Sequence, residues 1–296
     1  MQVNTCHKRT LVIRQQRVTL AEPWVMGILN ATPDSFFAGS RCPTTAEVER
    51  RAQQLVAEGA DVIDVGACST RPGAEMVTEA EELARLRMAL TAVRRVSREV
   101  YVSVDTFRAR VAKAAVQELG ADIVNDIAGG DLDEAMWPTM AELGVPYIVM
   151  HMRGTPATMQ QLTHYDNVVT DVVADLARRL EHLRNVGVNN VIADPGFGFA
   201  KTLDQNYELL AHLDAFDALG VPLLVGVSRK SMATKLLGIM PDEALEATTV
   251  LNTVALLQGA HIVRVHDVRA AVEARTLVKR LLSCVQQPPQ PSCSSL

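Results

Sequence analysis

No stretch of the chain approaches the roughly eighteen uninterrupted apolar residues of a membrane-spanning helix, although 48% of its residues are hydrophobic. No membrane span is therefore expected. The opening "MQVNTCHKRTLVIRQQRVTL" is basic but lacks a long apolar core and a small-residue cleavage site. It does not read as a signal peptide, and a cytoplasmic location is the expectation. Cysteine is sparse: Cys6, Cys42, Cys68, Cys284 and Cys293 are scattered, odd in number and never in C-x-x-C spacing. That pattern argues for reduced thiols and against a disulfide framework or a zinc site. The net charge is only −5, so nothing suggests a nucleic-acid partner. G-x-G-x-x-G is also missing after an early strand, which argues against a doubly wound dinucleotide sheet.

What the 296 residues do contain is one pattern, repeated. Short apolar runs recur as "WVMGILN" (24–30), "DVIDVG" (61–66), "YVSVD" (101–105), "DIVND" (122–126), "PYIVMH" (146–151), "VIAD" (191–194), "PLLVGVS" (222–228) and "HIVRVH" (261–266). Their length and β-branched content suit parallel strands buried on both faces. Helical stripes lie between them, such as Val48, Leu55 and Val56, with Thr44 and Glu47 at capping-box spacing in front. Thr78 and Glu81 stand in the same relation to Leu83, Leu86, Leu90 and Val93. The connection 229–258 reads as two helical pieces broken near "GIMPDE". Eight β-then-α units predict an α/β protein, a (β/α)8 TIM barrel, with "LVIRQQRVTL" as an N-terminal β-hairpin against its lower end. Residues 1–285 form the single domain, and the Pro/Gln/Ser-rich 286–296 is expected to be a disordered tail.

Barrel enzymes work at the C-terminal ends of their strands. Here the runs end on Asn30, Gly66, Asp105, Asn125 with Asp126, His151, Asp194, Ser228 before Arg229 and Lys230, and Arg264 with His266. A merely solvated rim would draw more on Lys, Glu, Ser and Gly. Asp105, Asn125 and Asp194 are acceptors, whereas Lys230, Arg264, His266 and Arg71 are donors or cations. A ligand that satisfies both halves has a donor-rich edge and an anionic part. A pterin ring fits the first half, with Lys230 donating to its carbonyl or N5. A diphosphate fits the second, at Arg264 and His266.

Asn30 is either an ordinary turn residue or a neutral oxygen ligand for Mg²⁺, which takes its other ligands from water and substrate phosphate. The loops "TPDSFFAGS" (32–40) and "ACSTRPGAE" (67–75) are either closing lids or plain βα connections. Phe199 in "PGFGFAKT" either walls an aromatic second substrate or plugs the core. Cys68 is read as a bystander thiol, and His7, His164, His182, His212 and His261 as surface or helix residues.

Taken in order, "MGILNATPDSF", "DVIDVGACSTRPGA", "SVDT", "GADIVNDI", "VMHMRGTPATMQ", "DPGFGFAKTLDQN", "LLVGVSRKS" and "RVHDV" resemble the dihydropteroate synthase family across roughly 26–268. The resemblance implies a transferase that joins 6-hydroxymethyl-7,8-dihydropterin diphosphate to p-aminobenzoate, with Mg²⁺ as cofactor, a homodimeric assembly and sulfonamides as competitors. It implies that Asp105, Asn125, Asp194 and Lys230 read the pterin, and that Arg264, His266 and Asn30 with Mg²⁺ hold the diphosphate. Thr70, Arg71, Asp34 and Phe36 would belong to the closing loops, and Pro72, Phe199 and Ser231 to the aminobenzoate pocket. Cys68 departs from several members. Two rivals use fewer of these motifs. A methyl transfer from methyltetrahydrofolate to a corrinoid protein would leave "STRPG", "SRKS" and the Arg264/His266 pair unused. The other rival is a pterin-binding scaffold without turnover.

Overall fold

β-Branched residues dominate the apolar runs, and in the computed structural model, which describes residues 8–32, 42, 44–68 and 76–285, those runs are strands. A hairpin of β1 (Arg9–Ile13) and β2 (Gln16–Leu20) comes first. The barrel strands are β3 (Trp24–Asn30), β4 (Val62–Gly66), β5 (Tyr101–Asp105), β6 (Ile123–Asp126), β7 (Tyr147–Met150), β8 (Val191–Asp194), β9 (Leu224–Val225) and β10 (Ile262–Val265). Helices alternate with them: α1 (Thr45–Ala57), α2 (Glu79–Val96), α3 (Ala109–Gln117), α4 (Met136–Leu143), α5 (Val168–Asn185), α6 (Leu203–Ala211), α7 (Ser231–Leu237), α8 (Leu245–Leu257) and α9 (Val268–Val285). The order β8-β7-β6-β5-β4-β3-β10-β9 is parallel throughout. A lone bridge from Ala193 to Leu223 joins its two ends. The (β/α)8 barrel and its hairpin are therefore as expected.

Local chemistry sets the helix starts. Thr44 and Glu47 form the expected reciprocal capping box on α1, and Thr78 accepts the Glu81 N–H at the start of α2. Thr202 and Gln205 form another such box on α6. The 229–258 connection is α7 and α8 separated by a short turn at Pro241–Glu243. The seventh strand is shorter than its apolar run, because the chain leaves the ladder at Gly226. There, side chains replace ladder hydrogen bonds: Ser228 Oγ accepts from His266 N, and Thr248 Oγ1 accepts from Arg229 N.

The strand period of two sorts every barrel residue inward or outward. Met26, Val62, Ile123, Ile148, Ile192, Leu224 and Ile262 make an apolar inner floor, sealed from below by Leu11, Ile13 and Leu20 of the hairpin. Arg14, at the hairpin turn, grips Asp122 with two nitrogens, and Arg94 of α2 donates to the same carboxylate. One step up the strands, the inward positions are Ile28, Asp64, Ser103, Asn125, Met150, Asp194, Gly226 and Arg264. Outward residues such as Val25, Leu29, Ile63, Val65, Val102, Val104 and Val263 form the main core against the helices. Gly27 also faces outward, where an added Cβ would lie 2.8 Å from Val268 and 2.9 Å from Leu55. A bare backbone there lets α1 and α9 sit close on β3. Among the described residues no helix is long and apolar enough to cross a membrane.

Candidate active site

Above the apolar floor the inward layer becomes polar, and it lines a cavity of about 230 Å³ at the C-terminal mouth. Asn30, Asp105, Asn125, Asp194, Phe199, Lys230, Ser231, Arg264 and His266 all line it. These residues lie far apart in sequence, yet each lies at the end of a strand or in the few residues that follow one, so the barrel brings them to a single mouth. Thr70, Arg71, Pro72, Asp34 and Phe36 lie outside the described residues.

The acids and the cations are interleaved rather than segregated into two halves. Arg264 donates from Nε to Asp64 at 2.6 Å and from Nη2 to Asp105 at 2.9 Å. Asp64 also accepts from the Asn125 amide at 3.1 Å. The neighbouring carboxylates keep the Arg264 guanidinium firmly charged against its enclosure. Enclosure pushes the Asp105 carboxyl up, with Arg264 pulling it back and Asp64 adding to the rise. Asp194 is likewise raised by burial, although Lys230 opposes this and the Gly196 N–H donates to it at 2.7 Å.

Lys230 donates to the Phe197 carbonyl at 2.7 Å and sits 4.9 Å from the centre of the Phe199 ring. Enclosure pushes its ammonium down to about 8, against the favourable charge of Asp194. His266 differs from the cation read from sequence, because burial and the charge of Arg264 hold it well below its usual range. Ser228 Oγ accepts the His266 backbone N–H at 3.1 Å and lies 3.0 Å from its Nδ1. The ring is thus neutral, carrying a single N–H.

Several rim readings change on inspection. Asp126 faces outward and is consumed structurally, accepting from Ala128 N, Gly130 N and the Tyr147 hydroxyl. His151 is buried and meets Lys201 Nζ at 2.9 Å, and that amine also donates to the Gly196 and Phe199 carbonyls. Lys201 therefore braces from behind the turn that Lys230 touches from the front. His261 is not a surface residue: it is buried and accepts the Leu223 N–H at 3.2 Å. Cys68 lines the cavity, with burial raising its thiol pKa, as befits a bystander.

Asp64 and Lys201 were not singled out from sequence. Asp64 sits mid-strand rather than at a strand end. The available signal was a carboxylate at an inward position of an otherwise apolar run, which demands a buried partner.

A sequence model of the family described as pterin binding enzyme matches residues 26–266. The dihydropteroate synthase of Escherichia coli K12 is 42% identical over 270 residues, spanning 89% of this chain and 93% of that protein. The chain belongs to the dihydropteroate synthase family. The Yersinia pestis dihydropteroate synthase, solved with a sulfonamide drug, matches at TM-score 0.88 and 39% identity over 93% of this chain and 99% of that one. The Burkholderia cenocepacia dihydropteroate synthase, complexed with 7,8-dihydropteroate, matches at TM-score 0.84 and 39% identity over 95% and 99% of the two chains. Membership accounts for the polar mouth, since a dihydropteroate synthase must seat a heterocycle and an arylamine side by side.

Proposed function

We propose that the chain is a transferase that condenses 6-hydroxymethyl-7,8-dihydropterin diphosphate with p-aminobenzoate, giving 7,8-dihydropteroate and diphosphate. The observation that carries this reading is the meeting of Asp105, Asn125, Asp194, Lys230, Arg264 and His266 on one cavity. Asp105, Asn125 and Asp194 accept from the pterin's amino and ring N–H groups, and Lys230 donates to its carbonyl or N5. Arg264 and His266 donate to the diphosphate. Phe199 and Ser231, with Pro72, serve the aminobenzoate in this reading, and Thr70, Arg71, Asp34 and Phe36 contribute further substrate contacts.

An arylamine is a neutral nucleophile at pH near 7, so no strong base is required. The burden falls on the departing diphosphate and on the positive charge left on the pterin methylene. Asp105 and Asp194 stabilise that charge more as it grows than in the ground state. Bond cleavage accordingly leads and amine attack follows. Rapid quench of enzyme with Mg²⁺ and pterin diphosphate, without amine, tests the order. Intact substrate over many turnover times would exclude it.

Mg²⁺ fits the donor set as a partner of the substrate rather than of a protein cage. Among the described residues no group of three or more His, Cys, Asp or Glu side chains gathers to hold a metal ion. Asn30 offers a neutral oxygen beside Gly66, whose missing Cβ would lie 3.2 Å from Asn30 Oδ1. The ion would offset the charge of the diphosphate, with Asn30 as its protein ligand.

A homodimer is part of the same reading, supported by Leu236, Leu237, Met240 and Val250, each more than half exposed around α7 and α8. So are a cytoplasmic location and competition by sulfonamides with the amine, the latter supported by the Yersinia pestis complex. The deciding experiment measures diphosphate release and dihydropteroate formation with and without p-aminobenzoate. Dihydropteroate formation and sustained diphosphate release that both require the amine are expected, with no more than a single enzyme equivalent of diphosphate formed in its absence. Methyl transfer to a corrinoid, or binding without turnover, would replace the reading.

A further inference from the structure

Asp64 is fully buried at the centre of β4, and the proposed reaction gives it no role. Its Oδ2 holds Arg264 Nε at 2.6 Å and Asn125 Nδ2 at 3.1 Å. Its Oδ1 is buried without a hydrogen-bond partner among the described residues, and so is the hydroxyl of Ser103, its register neighbour on β5. A buried acid with one oxygen unpartnered is a poor stabilising device, and an apolar side chain would fill this layer more favourably. What Asp64 does provide is a fixed place for Arg264. The guanidinium is pinned through Nε from below, which aims Nη2 at Asp105 at 2.9 Å. Two acidic side chains then share one guanidinium beside the cavity.

We propose that Asp64 is a positioning residue that clamps Arg264 and Asn125 in the pterin layer and aims Arg264 at Asp105, so that the layer is held ready to stabilise positive charge growing on the pterin. This rests on the condensation proposed above. On this reading Asp64 touches no substrate and acts through Arg264. The charged groups acting on Asp105 are Arg264 on β10, Asp64 on β4, Lys230 before α7 and, from outside the barrel wall, Asp126 on β6 and Glu82 on α2, and Asp64 is the acid that raises Asp105 most. Losing its charge therefore makes Asp105 a stronger acid.

The test compares wild type, Asp64→Asn, Arg264→Gln and the double variant. Melting curves, kcat, the KM of each substrate and the pH profile of kcat/KM are measured for each. Asp64→Asn is expected to lower kcat about 100-fold, with the aminobenzoate KM within about twofold. The acid limb of its profile should move to lower pH by about one unit. Adding Asp64→Asn to Arg264→Gln should cost much less than the sum of the two single losses, because Asn125 is then all that the clamp still holds. A purely structural role would lower the melting point and leave the acid limb in place. An unmoved limb with wild-type kcat, or independent losses in the double variant, overturns the proposal. If Asp64→Asn has no cooperative melt, Asp64→Glu decides, since it keeps the charge on a longer arm. A loss of at least about tenfold in kcat supports the clamp, and wild-type kcat refutes it. Failure of wild type itself to form dihydropteroate would instead remove the function, which keeps the two outcomes distinct.

Discussion

Arg229 and Asp267 form a two-point ion pair, Nε to Oδ2 at 2.8 Å and Nη2 to Oδ1 at 2.9 Å, joining the chain that leaves β9 to the chain that leaves β10. Arg229 Nη1 also donates to the Pro241 and Asp242 carbonyls, and the residue adopts φ +55°. The pair fixes the spacing of the next site residues on each side, Lys230 and His266. Arg229→Ala is expected to destabilise the fold by about 3 kcal/mol in urea titration, because it strands a largely buried carboxylate. Arg229→Lys should recover little of this, since an ammonium cannot span both oxygens.

Lys230 gives the pH dependence. Enclosure holds its ammonium near 8, below the usual lysine value, so the charged donor is fully present below that pH and lost as pH rises through it. The kcat/KM for pterin diphosphate should fall on an alkaline limb centred at about 8. Lys230→Arg should keep measurable activity and push that limb beyond the accessible range, because a guanidinium does not deprotonate there. A limb at the same pH in both proteins would assign it to another group.

Phe199→Ala tests the two substrates of the proposed reaction separately. Its ring lies beside Lys230 at the cavity wall, and Phe199→Ala should raise the aminobenzoate KM about tenfold, equivalent to about 1.4 kcal/mol of lost contact. The pterin diphosphate KM should stay within about twofold. Equal rises in both would mean that the ring serves the whole mouth.

Gly27→Ala tests the barrel wall apart from the chemistry. The added methyl meets Val268 and Leu55 at under 3.0 Å, so α1 or α9 must shift, at about 1–3 kcal/mol by thermal or urea unfolding. Steady-state kcat below the melting transition should match wild type. An unchanged melting point would show that the helices give way freely.

Much of this site was legible because parallel strands write themselves plainly. Buried on both faces, they appear as apolar runs, and a barrel puts every run's last polar residue at the same end. Asp105, Asp194 and Asn125 could be found that way. Asp126 could not be told from Asn125 at that level, since adjacent residues point to opposite faces and only the register says which is inside. Asp64 is not visible from the strand ends, because a barrel interior is filled in layers reaching further down. His151 and Lys201 stand fifty residues apart and meet only because β7 and β8 are neighbours.

The sequence alone determined the alternation of strand and helix, the caps and the polar ends, because each depends on propensity and periodicity within a few residues. Tertiary structure decided which polar groups share a proton or a charge. Arg264 and Asp64 are 200 positions apart, and their pairing exists only once β3 brings β10 and β4 to either side of it. Electrostatics at this range depends on distances of a few ångströms, and closure of the barrel sets those distances.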